Sequence, residues 1–297
     1  MIVNFGSLNI DYVYSMERIV SPGETLSSKV RSVFPGGKGL NQSVALARAG
    51  AEVRHAGFAG TEDAQFLVDI MEESGVEVGL LERVPETNGH AVIQVDERGE
   101  NCIILYRGTN GMPDSAYVER VGKTLREGDL VLFQNETSAI AEMMRTAKEK
   151  GARIALNPSP MDSACLGLPL ELVDIFLLNE IEGGLLTGEK TPEKILTDLR
   201  ERFPKAKIVL TLGGDGSMFA DSDKTFAQPV AECEKVVDTT GAGDTFTGYY
   251  LAGIESGMDD DEAIRRATMA SAICITRMGA APSIPLKEEV DAKYGIR

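Results

Sequence analysis

The stretch Asp238-Thr239-Thr240-Gly241-Ala242-Gly243-Asp244-Thr245 joins three features that suit phosphate chemistry. Gly241, Ala242 and Gly243 carry almost no side chain, so backbone N–H groups can approach a ligand closely. The run that follows has helical spacing, and a helix starting here aims free N–H groups and the positive end of its dipole back at the loop. Asp244 stands in that turn. A carboxylate there is either the N-terminal cap of the helix or a base beside an anion, and the local sequence leaves both roles open. Phosphate gathered next to a base is an arrangement for deprotonating a hydroxyl and letting it attack phosphorus. The chain has only two histidines, His55 and His90, neither beside a nucleophile, so a carboxylate is the better general base.

Two more polar sets lie near the start of the chain. Asn9 and Asp11 alternate with Leu8, Ile10 and Tyr12 and so share one face of an extended segment. They are spaced to hydrogen-bond adjacent hydroxyls, or they form the wet side of an ordinary strand. Pro35-Gly36-Gly37-Lys38-Gly39-Leu40-Asn41-Gln42 then leads into a small-residue helix over 43–50. It lacks the GxxxxGK[ST] spacing of a phosphate loop. Its glycines either bring backbone close to a small polyhydroxyl ligand, with Asn41 as donor and acceptor, or make a plain tight turn.

Positioning these residues falls to short apolar strands at 2–5, 53–58, 130–133, 154–156, 175–178 and 208–212, alternating with helical segments. That rhythm predicts an α/β fold with a mostly parallel central sheet flanked by helices, similar to a Rossmann architecture. Polar residues follow successive strands: Gln134-Asn135-Glu136, Asn157-Pro158, Asn179 to Glu182, and Gly213-Gly214-Asp215-Gly216. Open parallel sheets bind ligands at that end. The alternation breaks at 91–95 and 102–106, which read as an antiparallel hairpin. With 11–14 and 27–33 they suggest a small separate sheet, serving as a lid or a dimerisation surface. The chain closes with helical stretches at 243–256 and 260–277 and a last helix. The expectation is one α/β unit over 1–297, with an inserted β lid built from roughly 11–34 and 89–107.

The bulk properties agree with this. The 297 residues are 43% apolar, ordinary for a globular chain, and no segment is apolar enough to span a membrane. The start of the chain lacks the pattern of a signal peptide, so a cytoplasmic location is expected. A net charge of −16 argues against nucleic acid as a partner, but not against a nucleotide held by a local nest of N–H groups. Cys102, Cys165, Cys233 and Cys274 form no paired-ligand spacing, which disfavours zinc and redox motifs.

Taken together, the stretches 36–42 and 238–248, with Asn179-x-x-Glu182 and Gly213-Gly214-Asp215-Gly216 between them, resemble the signature regions of the ribokinase-like (PfkB) carbohydrate kinases. The resemblance covers essentially the whole chain and is nearest to the ribokinase branch in Gly6-Ser7-Leu8-Asn9-Ile10-Asp11, Pro22-Gly23-Glu24-Thr25 and Ala155-Leu156-Asn157-Pro158. It implies ATP-dependent transfer to the O5 hydroxyl of ribose, with magnesium, and a homodimer paired through the β lid. A kinase for deoxyribose, fructose or a nucleoside, or a non-catalytic sugar-binding sensor, is the alternative.

By that resemblance Asp244 matches the catalytic base, and Gly241, Ala242 and Gly243 match the anion hole. Asn9, Asp11, Gly37, Lys38, Asn41 and Glu136 match sugar-contacting positions. Asn179, Thr211, Gly213, Gly214, Asp215, Gly216, Gly243 and Thr268 match the nucleotide side, and Glu182 the residue associated with magnesium through water. Asp238, Thr240, Cys274, Arg277, Gly279 and Ser283 match a monovalent cation site, usually potassium. There Cys274 and Arg277 would offer only main-chain oxygen. Two positions depart from the pattern: Leu40 where Ala is common, expected beside the sugar pocket, and Asn135 where an apolar residue is common.

Overall fold

Strands whose apolar residues run without interruption are buried on both faces, and here they assemble into one large sheet. The computed structural model describes residues 1–295, so 296 and 297 of the expected unit lie outside the described residues. In chain order the strands are β1 Ile2–Phe5, β2 Asn9–Ser15, β3 Val30–Gly36, β4 Val53–Gly60, β5 Glu77–Val84, β6 Gly89–Val95 and β7 Asn101–Tyr106. They continue with β8 Leu130–Gln134, β9 Arg153–Asn157, β10 Ile175–Asn179, β11 Lys207–Thr211, β12 Ser217–Ala220 and β13 Thr225–Gln228. The helices are α1 Lys38–Arg48, α2 Gln65–Glu73, α3 Ser115–Gly122, α4 Ile140–Glu149, α5 Glu180–Thr187, α6 Pro192–Arg202, α7 Ala242–Glu255, α8 Asp260–Cys274 and α9 Lys287–Tyr294.

The large sheet has the order β13-β12-β11-β10-β9-β8-β1-β4-β5. It is parallel from β11 to β5, and only the pairings of β12 with β11 and with the edge strand β13 are antiparallel. Alternate residues feed two cores on opposite faces. Ile2, Leu130, Leu132 and Val209 face one with α1, α7 and α8, while Val3, Phe5, Val131 and Phe133 face the other with α3 and α4. After β1 the chain first builds β4 and β5 on one side, then crosses to β8 on the other. Strand order thus reverses between β1 and β8, and a crevice opens beyond their carboxyl ends.

The second sheet has the order β3-β2-β6-β7, with β2 antiparallel to β3 and parallel to β6. The expected α/β class, the central sheet and the small separate sheet are all present. Three boundaries differ from the sequence expectation. β3 is displaced from 27–33 to Val30–Gly36, because its ladder with β2 runs on to Asn9 opposite Gly36. Pro35 is accommodated since β3 is an edge strand. α1 begins at Lys38 rather than 43, so Asn41 and Gln42 lie in its first turns, not in a loop. α8 ends at Cys274, and 275–280 turn away as a loop. β12 and β13 were not among the expected strands.

Candidate active site

Asp244 is the third residue of α7 and is only 6% exposed. The cap position belongs to Gly241, in a left-handed conformation at φ 80° that suits glycine, and no side chain caps the helix. The carboxylate instead reaches across to α1: Oδ2 accepts from Asn41 Nδ2 and Oδ1 from Gln42 Nε2, each at 2.9 Å. Geometry therefore decides against the helix-cap role. Ala242 N–H turns back to Thr239 O at 3.2 Å. Among the described residues nothing accepts from the N–H of Gly243 or Asp244, and a side chain at Gly243 would meet open space. The start of α7 thus offers free donors and a positive dipole end beside a carboxylate.

Asn9, Asp11, Gly37, Lys38, Asn41 and Glu136 are brought around that carboxylate by β2, α1 and the turn after β8. Burial, with the Glu136 and Asp244 carboxylates close by, pushes Asp11 from its ordinary 3.8 up to about 7. Gly36 makes room for it, since a Cβ there would lie 2.1 Å from Asp11 Oδ2. Asn9 Oδ1 accepts from Asn110 Nδ2 at 2.8 Å, and Asn110 also binds Leu8 N–H at 3.0 Å. Glu136 Oε2 accepts from Lys38 N–H at 2.8 Å and from the Ser7 hydroxyl, so this residue anchors the start of α1. Burial also raises the Glu136 pKa. Burial works against charge on Lys38, but Asp244, Glu136 and Glu182 outweigh it and hold the ammonium charged. Asn41 Oδ1 is buried without a hydrogen-bond partner, an acceptor still to be used.

Leu40 is 0% exposed and belongs to the apolar core that α1 shares with α7 and α8. Asn135 lies at the rim, donating to Pro160 O at 2.8 Å and Asp162 Oδ1 at 3.0 Å.

A cavity of about 400 Å³ opens on the other side of the α7 N-terminus. Thr211, Gly213, Gly214, Gly216, Gly243 and Thr268 line it, as expected of a nucleotide side. Its apolar walls were not foreseen: Val230 and Val236 come from the loop before α7, Phe246 from α7, and Ala272 and Ile275 from the end of α8 and the residue after it. Asp215 and Asn179 are not among the walls. Asn179 caps α5: its side chain accepts from Glu182 N–H at 2.9 Å, while Glu182 Oε2 accepts from Asn179 N–H at 3.0 Å.

The six residues of the expected cation site converge on the loop after α8. Asp238 Oδ1 accepts from Thr240 N–H at 2.9 Å and Oγ1 at 2.6 Å, and Oδ2 from Gly279 N–H at 2.9 Å. Burial opposes its charge, but these hydrogen bonds prevail and lower its pKa. Cys274 Sγ lies 3.0 Å from Ser283 Oγ. The Arg277 guanidinium turns away to Glu289 at 2.6 Å, leaving only its backbone carbonyl for an ion.

The model of the pfkB family carbohydrate kinases matches residues 1–287. The ribokinase of Haemophilus influenzae is 33% identical over 293 residues, covering 96% of this chain and 95% of that protein. The structure of ribokinase from Cryptococcus neoformans var. grubii serotype A in complex with ADP superposes with a TM-score of 0.87 at 32% identity, covering 98% of this chain and 99% of that one. Arabidopsis thaliana ribokinase, complexed with ribose and ATP, superposes with a TM-score of 0.86 at 30% identity, covering 97% and 96%.

Proposed function

This chain belongs to the pfkB family of carbohydrate kinases, and we propose that it transfers the γ-phosphoryl group of ATP to the O5 hydroxyl of D-ribose, giving ribose 5-phosphate and ADP. One observation carries this reading. Asp244 lies at the junction of a buried polar cluster and a nucleotide-sized cavity, held by α1 on one side and continuous with Gly243 of the cavity wall on the other. The identity of the ribokinase relatives over nearly their full length supports ribose as the sugar.

In this mechanism Asn9, Asp11, Asn41 and Glu136 hold the sugar hydroxyls, with Gly37 giving backbone access and Lys38 as the one buried cation nearby. Asp244 takes the proton as the hydroxyl oxygen bonds to phosphorus and the bond to the leaving ADP oxygen breaks. The free N–H groups at the start of α7 and the Lys38 ammonium offset the negative charge on the transferring group, the larger part of the catalytic effect in phosphoryl transfer. Thr211, Gly213, Gly214, Gly216 and Thr268 border the nucleotide, and the apolar walls take the base.

Among the described residues no group of three or more His, Cys, Asp or Glu gathers as a metal site. A magnesium ion fits in another way, through phosphate oxygens and water with Glu182 as a carboxylate partner, and would shield phosphate charge. A potassium ion fits the donors around Asp238, a carboxylate with the carbonyls of Thr240, Cys274, Arg277 and Gly279 and the Ser283 hydroxyl, all hard oxygens. It would add positive charge beside the start of α7. The small sheet serves as a lid over the sugar, and as the surface that pairs two copies of the chain.

The test is turnover across ribose, deoxyribose, fructose and nucleosides with magnesium–ATP, with and without potassium. Ribose is expected to have the highest kcat/KM. Fast turnover of another substrate with none of ribose would reassign the enzyme. Asp244→Asn should lower kcat by roughly 10²–10⁴ with little change in sugar KM. A near-normal kcat would remove Asp244 from the base role.

A further inference from the structure

A hydrogen-bonded path runs from the carboxylate of Asp244 down through the carboxyl ends of the central strands. Gln42 Nε2 donates to Asp244 Oδ1 at 2.9 Å and to Asn157 Oδ1 at 3.0 Å. Gln42 Oε1 accepts from Gln134 Nε2 at 2.7 Å, and Gln134 Nε2 also donates to Asn4 Oδ1 at 2.9 Å. Asn4 Nδ2 donates to Gly39 O at 2.7 Å and Ser43 Oγ at 2.8 Å. Ser43 Oγ lies 2.8 Å from His55 Nδ1, and His55 Nε2 lies 3.2 Å from Gly6 O. Asn4, Gln42, Ser43 and His55 are each 0% exposed.

The direction of every bond follows from the far end. A carbonyl only accepts, so His55 carries its hydrogen on Nε2 and Nδ1 must accept from the Ser43 hydroxyl. Burial supports this neutral form by lowering the His55 pKa to about 4. Ser43 Oγ, having spent its hydrogen, accepts from Asn4 Nδ2, which leaves Asn4 Oδ1 facing Gln134. The Gln134 amide then turns Gln42 Oε1 toward itself and Gln42 Nε2 toward Asp244. All amide hydrogens along the path have acceptors, and flipping one amide would set oxygen against oxygen or N–H against N–H.

We infer that Gln42 is a positioning residue for the general base: its amide orientation is locked from His55 through Ser43, Asn4 and Gln134, and its N–H holds Asp244 Oδ1 so that the carboxylate stays aimed at the sugar hydroxyl. This rests on Asp244 acting as the base. Asn41 occupies Oδ2 in the same way but belongs to the sugar pocket, whereas Gln42 is fully buried and has no route to the substrate.

Gln42→Met removes the donor, and Gln42→Glu keeps the shape and the bond from Gln134 while placing a second carboxyl against Asp244. In both variants kcat at neutral pH should fall roughly 10- to 100-fold while sugar and ATP KM stay within about threefold. The wild-type Gln42 side-chain amide hydrogens, held by Asp244 and Asn157 and assigned by their loss in Gln42→Met or Gln42→Glu, should exchange slowly with deuterium in nitrogen-15 spectra, and faster in Asp244→Asn. Unchanged kcat in the folded variants overturns the inference, as does a rise in sugar KM at unchanged kcat or a freely exchanging Gln42 amide. Should Gln42→Met fail to fold, the near-isosteric Gln42→Glu decides. Failure of the wild-type enzyme to phosphorylate any sugar would defeat the proposed function alone, because amide exchange judges the hold of Gln42 on Asp244 without turnover.

Discussion

Asp11 gives a titration that can be followed in the intact protein. Burial first, then Glu136 and Asp244, lift it from 3.8 to about 7, so the folded chain keeps a proton that the unfolded chain releases above its ordinary value. Stability from that difference is complete below about pH 4 and is lost as pH rises through about 7. Asp11→Asn has no such loss. Its melting temperature relative to wild type should therefore climb between about pH 4 and 7, read by calorimetry in buffers of matched ionic strength. A constant offset across that range would mean Asp11 is already ionised. Such coupling among Asp11, Glu136 and Asp244 could not be read from residues 11, 136 and 244, because it depends on distances that only the folded chain creates.

At the scale of elements, the site depends on how closely α1 and α7 approach. Asn41 and Gln42 on α1 reach Asp244 on α7 because Gly248, one turn on, lets the helices touch. A Cβ at Gly248 would lie 2.3 Å from Ala45 Cβ and 2.7 Å from Leu46 N. Gly248→Ala should thus destabilise the fold by about 1–3 kcal/mol in chemical denaturation, through overpacking. It should also lower kcat, since the helices must part where they share the base. Unchanged stability and kcat would show that the contact relaxes freely. The helix start at Lys38 was hidden in the sequence by three nearby glycines and Pro35. Glu136 and Ser7 supply the missing N-terminal partners from the turns after β8 and β1, so a locally poor helix start becomes a good one.

At the scale of the molecule, β7 leaves Ile103, Ile104, Leu105 and Tyr106 between 51% and 61% exposed on the outer edge of the small sheet. A row of apolar side chains on an unpaired edge strand is a hazard unless something covers it. With a second copy as the proposed cover, Ile104→Glu should shift the protein from dimer to monomer in analytical ultracentrifugation, with α/β content unchanged. A wild-type protein that is monomeric at high concentration would remove the dimer from the proposal. Among the described residues no helix is long and apolar enough to cross a membrane.

What the sequence determined by itself was local and periodic: short doubly apolar strands alternating with helices, polar residues after each strand, and two glycine-rich stretches flanking a carboxylate. These signals arise from neighbouring residues, so the α/β class and the separate small sheet were legible, whereas the set around Asp244 was named only by the resemblance to the carbohydrate kinases. What only the tertiary structure decided were relations between distant segments. That Asp244 does not cap its helix depended on Asn41 and Gln42, 203 and 202 residues away. The apolar walls of the cavity and the chain of amides beneath the base come from several strands and helices, each unremarkable in sequence. Only closure of the sheet, with its order reversing between β1 and β8, sets them side by side.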